Sequence, residues 1–438
     1  MTLFLLYVAA FIALAFFDAR RAKSTEGFFL NHRQSGTTEV SFSILASCVG
    51  GSATVGLCGL AFTAGFPAIW WLLSGAIGLL ILTVFLSQKI RHSGALTMPE
   101  LLREKFGLTA YRAITFVILI AWTAILAAQL LAMGKIIAAL TDMPDTVALV
   151  IGMVFITVYT AIGGQASVMK SDVIQCLLML GGLVLVAGLT VTANPTPLAT
   201  LSFELVNDAF PLSQWAYFMC FIGGSYVVCP MLFSRMMSAK SATVARRAGF
   251  LGALGIFLTA LLIVMIGVEA RAFLPADTTP DNVLTALVQT FSPTTQVVFL
   301  LAMLSTILSS ADSCLVTAAT VASRDFLGAK SLIVTRTAVF FFGFAALILG
   351  TTGHSILGLL LMANAVYVCA VVPPAFVALT TTRPLHHSRL LATIIGAACL
   401  AILGEMTENT TWSYLALVCS MIGSLMSIQR PKTHFETA

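Results

Sequence analysis

Residues 305–313 read STILSSADS, inside a stretch from about Val297 to Val321 that is otherwise apolar enough to cross a bilayer. On a helix, Thr306, Ser309, Ser310 and Ser313 fall at i, i+3, i+4 and i+7, so four hydroxyls share one face while Leu301, Leu304, Ile307 and Leu308 cover the others. Lipid offers a hydroxyl no partner, so the stripe must face protein, water or an ion. A hard monovalent cation such as sodium is the ion that neutral oxygens suit best. The alternative is a helix–helix contact, since Ser and Thr are common glue between packed membrane helices.

The elements that position this stripe are membrane helices. Of 438 residues, 59% are hydrophobic and 9% charged, against roughly 25% charged in a soluble domain. The chain therefore reads as an all-α polytopic membrane protein embedded in a lipid bilayer. Thirteen spans are expected, at about 2–17, 38–64, 66–88, 110–140, 147–162, 166–192, 213–234, 248–270, 294–322, 334–350, 355–379, 390–404 and 412–428. No basic residue precedes the first span, and Arg20, Arg21 and Lys23 follow it. That order predicts an uncleaved helix with its N-terminus outside, a cytoplasmic C-terminus, and residence in a plasma or inner membrane. In this orientation every Lys and Arg except Lys135 and Arg271 falls on or beside a cytoplasmic segment, while Asp142, Asp145, Glu204, Asp208, Asp277, Asp281, Glu405 and Glu408 fall outside. The net charge of +5 is thus an orientation signal, and no nucleic-acid partner is expected.

The nine cysteines show no paired spacing and lie in spans, so neither a disulfide nor a zinc site is expected. With no HExxH, GxSxG or phosphate-binding loop, the chain is not read as an enzyme and no organic cofactor is expected.

Two spans carry helix-weakening residues at mid-membrane. The second contains Gly50-Gly51, and the seventh contains Gly223-Gly224 with Pro230 a turn or two later. Backbone groups freed at such a break need a cavity or ligand. The two spans are five apart, so each opens a five-helix unit, 38–192 and 213–380, and an odd number of helices gives the units opposite topology. This is the plan of inverted-repeat transporters with broken first helices. Residues 1–37 then form an extra helix and a cytoplasmic loop, and 381–438 two further helices and a short tail.

Several blocks carry a family resemblance. GGQASVMKSDVIQ at 163–175 resembles the GG…A…TDxxQ signature of the sodium:solute symporter family, with Ser171 where Thr is usual. AxxVGG…VGLCG at 46–59, TMPELLREKFG at 97–107, SYVVCPMLFSRMMSAKSATVARRAG at 225–249 and SSADSCLVTAATVASRD at 309–325 resemble the same family, nearest its proline and pantothenate branches. The likeness covers about residues 20–380. It implies a LeuT-type fold with a 5+5 inverted repeat, one helix before the core and two after it, and sodium as coupling ion. Carried over by position, the main sodium site maps to the carbonyls of Ala46, Val49 and Thr306 and the hydroxyls of Ser309 and Ser310.

Asp172, near the cytoplasmic end of the sixth span, reads on its own as a solvated carboxylate at a helix start. In the family signature the matching Asp serves sodium coupling, in some members at a second sodium site. Ser313 keeps the hydroxyl such a site uses, whereas Asp312 stands where a small polar residue is usual. That extra carboxylate could strengthen a second site, titrate with coupled protons, or pair with a basic residue across the bundle.

The substrate cavity is expected between the repeats, lined by Ser52 and Ala53 after the first break, Gln129, Tyr226, and Asn364 or Tyr367. Helix ends at the breaks present amides that suit a carboxylate, and no basic residue is expected at mid-membrane. The expected solute is a small organic anion or zwitterion, amino-acid-like or a carboxylated vitamin. Trp70, Trp71 and Trp122 read as packing or interfacial residues. A passive channel and a solute sensor are the rival classes; only ten residues follow Ile428, too few for a signalling domain.

Overall fold

The computed structural model describes residues 2–18, 25–193, 202–329, 331–353 and 355–429. The basic cluster Arg20, Arg21 and Lys23 and the tail from residue 430 lie outside the described residues. Among those described, every regular element is helical. The chain opens with α1 (Thr2–Asp18) and a short α2 (Thr25–Leu30). Next come α3 (Thr37–Cys48) and α4 (Leu57–Ala64), joined through a π turn at Ser52–Gly56 and bent by 62°. They are followed by α5 (Trp70–Phe85), α6 (Ser87–His92), α7 (Met98–Thr141) and α8 (Asp145–Ala193), the last broken at Gly164 so that it supplies two spans. A second interrupted span comprises α9 (Leu212–Tyr217), a π turn at Phe218–Gly223, α10 (Gly224–Val227) and α11 (Pro230–Ser238). The remainder is α12 (Ala242–Glu269), a short α13 (Val283–Gln289), α14 (Pro293–Thr320), α15 (Leu332–Gly350), α16 (Ile356–Thr380), α17 (His387–Met406) and α18 (Thr410–Met426).

Ten helices among the described residues are long and apolar enough to cross a membrane, the bent pair makes an eleventh span, and α1 and α18 are shorter apolar helices. Each of the thirteen expected segments corresponds to one of these. The helices sort by how much they bury. The α14 span is 83% buried and packs between α7 and α8, whereas the α17 span is 28% buried. The hydroxyl stripe therefore lies on the most enclosed of the ten long helices, and hydroxyls there can meet only protein or an ion.

The first break falls where the glycine pair predicts. α3 ends at Cys48, Val49 leaves the helix with φ −103° and ψ 82°, and Gly50 lies so close to α14 that a Cβ would stand 2.5 Å from the Ser310 hydroxyl. The second break is displaced from its expected position. Gly223 and Gly224 keep helical torsions, with φ of −59° and −56°. The chain leaves the helix at Val228 and Cys229, directly before Pro230. Pro230 has no N–H to give and drives the residue before it to extended torsions, so the proline, not the glycine pair, sets the interruption. Gly223 serves close packing instead: a Cβ there would approach the Ser74 carbonyl of α5 to 2.9 Å.

The two basic residues outside the charge pattern have local acceptors. Lys135 donates to Asn282 Oδ1 at 2.7 Å. Arg271 donates to the carbonyls of Ala61, Phe62 and Thr63 at 2.5–3.3 Å, in the last turn of α4 where helix carbonyls lack intrahelical partners beyond the Gly65 N–H on Ala61.

Gly164 divides α8 with φ of 59°, and a Cβ there would lie 2.6 Å from the Phe28 ring. Gly181, further along the same helix, has nothing within 4 Å of its added Cβ. Gly164→Ala is expected to cost about 1–3 kcal/mol for the positive-φ torsion alone, lowering the melting temperature in detergent. Gly181→Ala should hold or raise it. Equal melting temperatures for the two variants would contradict this account of the turn.

Candidate functional site

The site is built where the broken α3 meets α14. The Ser309 hydroxyl lies 3.1 Å from the Ala46 carbonyl and 2.8 Å from that of Thr306, and the Ser310 hydroxyl lies 2.9 Å from Ala46 and 3.2 Å from the Ser47 carbonyl. Ala46, Thr306, Ser309 and Ser310 thus bring four uncharged oxygens to one point, and Val49, the residue at which α3 breaks, follows within a turn. Other carbonyls of the break are met as well. Cys48 O accepts from the Tyr226 hydroxyl at 3.4 Å, which joins the two broken spans, and Gly50 O accepts from Thr54 Oγ1 at 3.0 Å.

A charged cluster adjoins these oxygens, and its centre is a residue absent from the sequence expectations. Arg235 of α11 is fully buried. Its Nε donates to Ser43 Oγ at 3.0 Å, Nη1 to Gln165 Oε1 at 3.1 Å, and Nη2 to Ser47 Oγ at 3.0 Å. Nη2 also donates to the Ser313 hydroxyl and pairs with Asp172 Oδ2 at 3.5 Å. Asp172 is fully buried too, and accepts the Ser43 hydroxyl besides. The reading of Asp172 as a solvated helix-start carboxylate is therefore corrected, and Arg235, counted among the cytoplasmic basic residues, is instead buried in the last turn of α11. Position in α8 put Asp172 near a helix start, but α3 and α11 close over it. No local signal marked Arg235, which stands in the last turn of α11 as a basic residue at the cytoplasmic end of a span would.

Asp312 is also buried, with Oδ1 accepting from Ser313 at 3.3 Å and Oδ2 without a protein partner. The ion pair to a basic residue is made by Asp172, not by Asp312. Ser313 joins the two groups of residues, because its hydroxyl donates to the Ser309 carbonyl at 2.7 Å while accepting from Arg235.

A cavity of about 70 Å³ opens beside the first break. Ser52, Ala53, Gln129, Tyr226 and Asn364 all line it, and no Lys, Arg, Asp or Glu does. Gln129 spans the start of the helix after the break, accepting the Gly51 N–H at 2.7 Å and donating to Ser52 Oγ at 3.2 Å. Tyr367 does not line the cavity. Its hydroxyl donates to the Val228 carbonyl, and its ring meets Trp122 edge-on at 5.0 Å, so it holds the second break in place. Trp71 and Trp122, expected to serve packing alone, line the cavity together with the thiols of Cys48, Cys229 and Cys314. The Trp122 indole N–H has no protein acceptor. Trp70 does keep to packing, edge-on to Trp215 with its N–H on the Leu205 carbonyl. All nine cysteines are free, and no cluster of three or more His, Cys, Asp or Glu able to hold a metal is found among the described residues.

Two interrupted spans five spans apart, the first closed by a hydroxyl-bearing helix, define a LeuT-type membrane fold. Solved structures agree on the architecture. One of a sodium-coupled sialic acid symporter in a substrate-bound outward-open state superposes with a TM-score of 0.77 at 15% identity, covering 96% of this chain and 95% of that one. The transporter MhsT in complex with L-phenylalanine superposes with a TM-score of 0.61 at 15% identity, covering 90% and 99%. The chain belongs to the sodium:solute symporter family, whose model matches residues 28–396. Among its relatives are the high affinity choline transporter 1 of Homo sapiens, 23% identical over 76% of this chain and 63% of that protein, and the sodium/pantothenate symporter of Haemophilus influenzae, 25% identical over 70% and 68%. The chain spans about three fifths of the length of the human choline transporter it matches.

Tyr367→Phe removes one hydrogen bond to the Val228 carbonyl and leaves the cavity lining intact. It should cost about 0.5–1.5 kcal/mol of stability, read as a lower melting temperature. A KM for the transported solute that rises about tenfold with no loss of stability would instead place the phenol on the solute.

Proposed function

We propose that this chain is a secondary active transporter that couples inward sodium flow to uptake of a small organic solute by alternating access. The observation that carries the reading is the convergence of Ala46, Thr306, Ser309 and Ser310 on the interruption of α3. Sodium is the cargo these neutral oxygens suit: the two hydroxyls turn their protons away and, with the carbonyls of Ala46, Val49 and Thr306, face one ion. Uncharged ligands bind a monovalent ion without trapping it, which a cycle of loading and release requires. Asp172, Asp312 and Ser313 supply charge and a hydroxyl beside that ion. Bound there, sodium ties α3 to α14 and shapes the adjoining cavity, so ion and solute favour the same conformation.

The lining favours an amino-acid-like zwitterion. Helix N–H groups at Ser52 and Ala53 suit a carboxylate, the rings of Trp71, Trp122 and Tyr226 suit an ammonium, and no side-chain charge competes. The same three rings support a second reading, a cationic solute of the kind named for the choline transporter relatives. Repeat boundaries at 38–192 and 213–380, an outside N-terminus and a cytoplasmic C-terminus in a plasma or inner membrane complete the proposal, supported by the distribution of basic residues.

Uptake of radiolabelled metabolites into vesicles, with and without an inward sodium gradient, tests the reading. Zwitterions should accumulate only with sodium. Ser309→Ala and Ser310→Ala should each raise the half-saturating sodium concentration about tenfold, the equivalent of about 1.4 kcal/mol, with protein levels unchanged. Accumulation that ignores sodium, or wild-type sodium dependence in both variants, would sink the assignment.

A further inference from the structure

Around the sodium-type oxygens, three fully buried side chains carry formal charge: Asp172, Asp312 and Arg235. Glu39, the nearest other acidic side chain, is partly exposed and takes the Asn31 amide at 3.1 Å. The guanidinium occupies the polar groups that a second ion at Asp172 would need. It holds the hydroxyls of Ser43, Ser47 and Ser313 and faces the carboxylate of Asp172, engaging all of them through Nε and Nη2. It also rides on α11, the half-helix that follows the second break.

We propose that Arg235 is a resident cation standing where a second sodium would bind, and that the chain therefore takes one sodium per cycle. The proposal rests on the sodium-coupled reading and adds its stoichiometry. The pairing of charges supports it. The guanidinium already balances the Asp172 carboxylate, so a second sodium beside Asp172 would set two cations against one carboxylate in a dry environment, which burial disfavours. A fixed cation also gives Arg235 a positioning role. Through Ser47, next in the chain to Ala46, and Ser313, whose hydroxyl donates to the Ser309 carbonyl, it ties α11 of the second repeat to α3 and α14.

Equilibrium binding of radioactive sodium to the purified full chain in detergent, with potassium as the balancing salt, tests this without knowledge of the solute. Wild type should bind one sodium per chain with a Hill coefficient near one. The charge-neutral double variant Asp172→Asn/Arg235→Gln removes the resident cation together with the carboxylate a second ion would need, and should still bind one sodium and no second. Arg235→Gln alone frees Asp172 and its hydroxyls, and should bind a second sodium. Two sodium ions per wild-type chain would overturn the proposal, as would a single sodium in a folded Arg235→Gln variant or two in the double variant. Should Arg235→Gln fail to fold, the wild-type stoichiometry and the double variant decide the matter. A wild-type chain that binds no sodium contradicts the coupled reading itself, and the inference falls with it.

Discussion

Everything in this molecule turns on the interruption of α3 at Val49. In a bilayer an unmet carbonyl costs several kcal/mol, so a helix can stop at mid-membrane only where something else receives its carbonyls. Here the hydroxyls of Ser309 and Ser310 receive Ala46 and Ser47, Tyr226 receives Cys48, and Thr54 receives Gly50. Those contacts are individually weak and replaceable. An ion can take the place of the hydroxyl protons, and the Tyr226 contact at 3.4 Å leaves room for the two broken spans to part. Satisfying the backbone and binding a cation are therefore the same local problem, solved with the same oxygens.

The charged cluster extends this logic. Arg235, Asp172 and their hydroxyl partners draw on α3, α8, α11 and α14. Removing one member of such a buried pair exposes its partner to the full cost of an uncompensated charge, whereas removing both is often nearly neutral. The cluster thereby fixes how the half-helices of the two broken spans approach each other, while the more weakly joined oxygens above it remain free to exchange an ion. A cavity without charged side chains adjoins the break, so on the proposed reading ion and solute have neighbouring but chemically distinct surroundings.

Much of this was legible in the sequence. The hydroxyl spacing at Thr306, Ser309, Ser310 and Ser313 and the Gly50-Gly51 pair marked the hydroxyl face of α14 and the interruption of α3 that meet in the candidate site, because helical periodicity and glycine tolerance act locally. Five of the six cavity candidates line the cavity because the two interrupted spans meet where a repeat interface was expected. What escaped depended on tertiary closure. Arg235 carries the same letter as the loop arginines that set orientation, and only the packing of α3 and α8 over it reveals burial. Asp172 was misread for the mirror-image reason, its partner being 63 residues away. The second break was misplaced because the Gly223-Gly224 pair reads as a weak point, when proximity to α5 is what it provides. Tyr367 has the composition of a binding residue, and only its bond to Val228 shows it to be a brace.

The central claim is that one cation bound at the interruption of α3 organises the site. Hydrogen–deuterium exchange of the purified protein in sodium against potassium addresses it most directly. Sodium should slow exchange in the segments containing residues 45–53 and 304–313, and Ser310→Ala should erase that protection at the same sodium concentration. Equal exchange of both segments in the two salts, or sodium protection confined to other helices, would contradict the account.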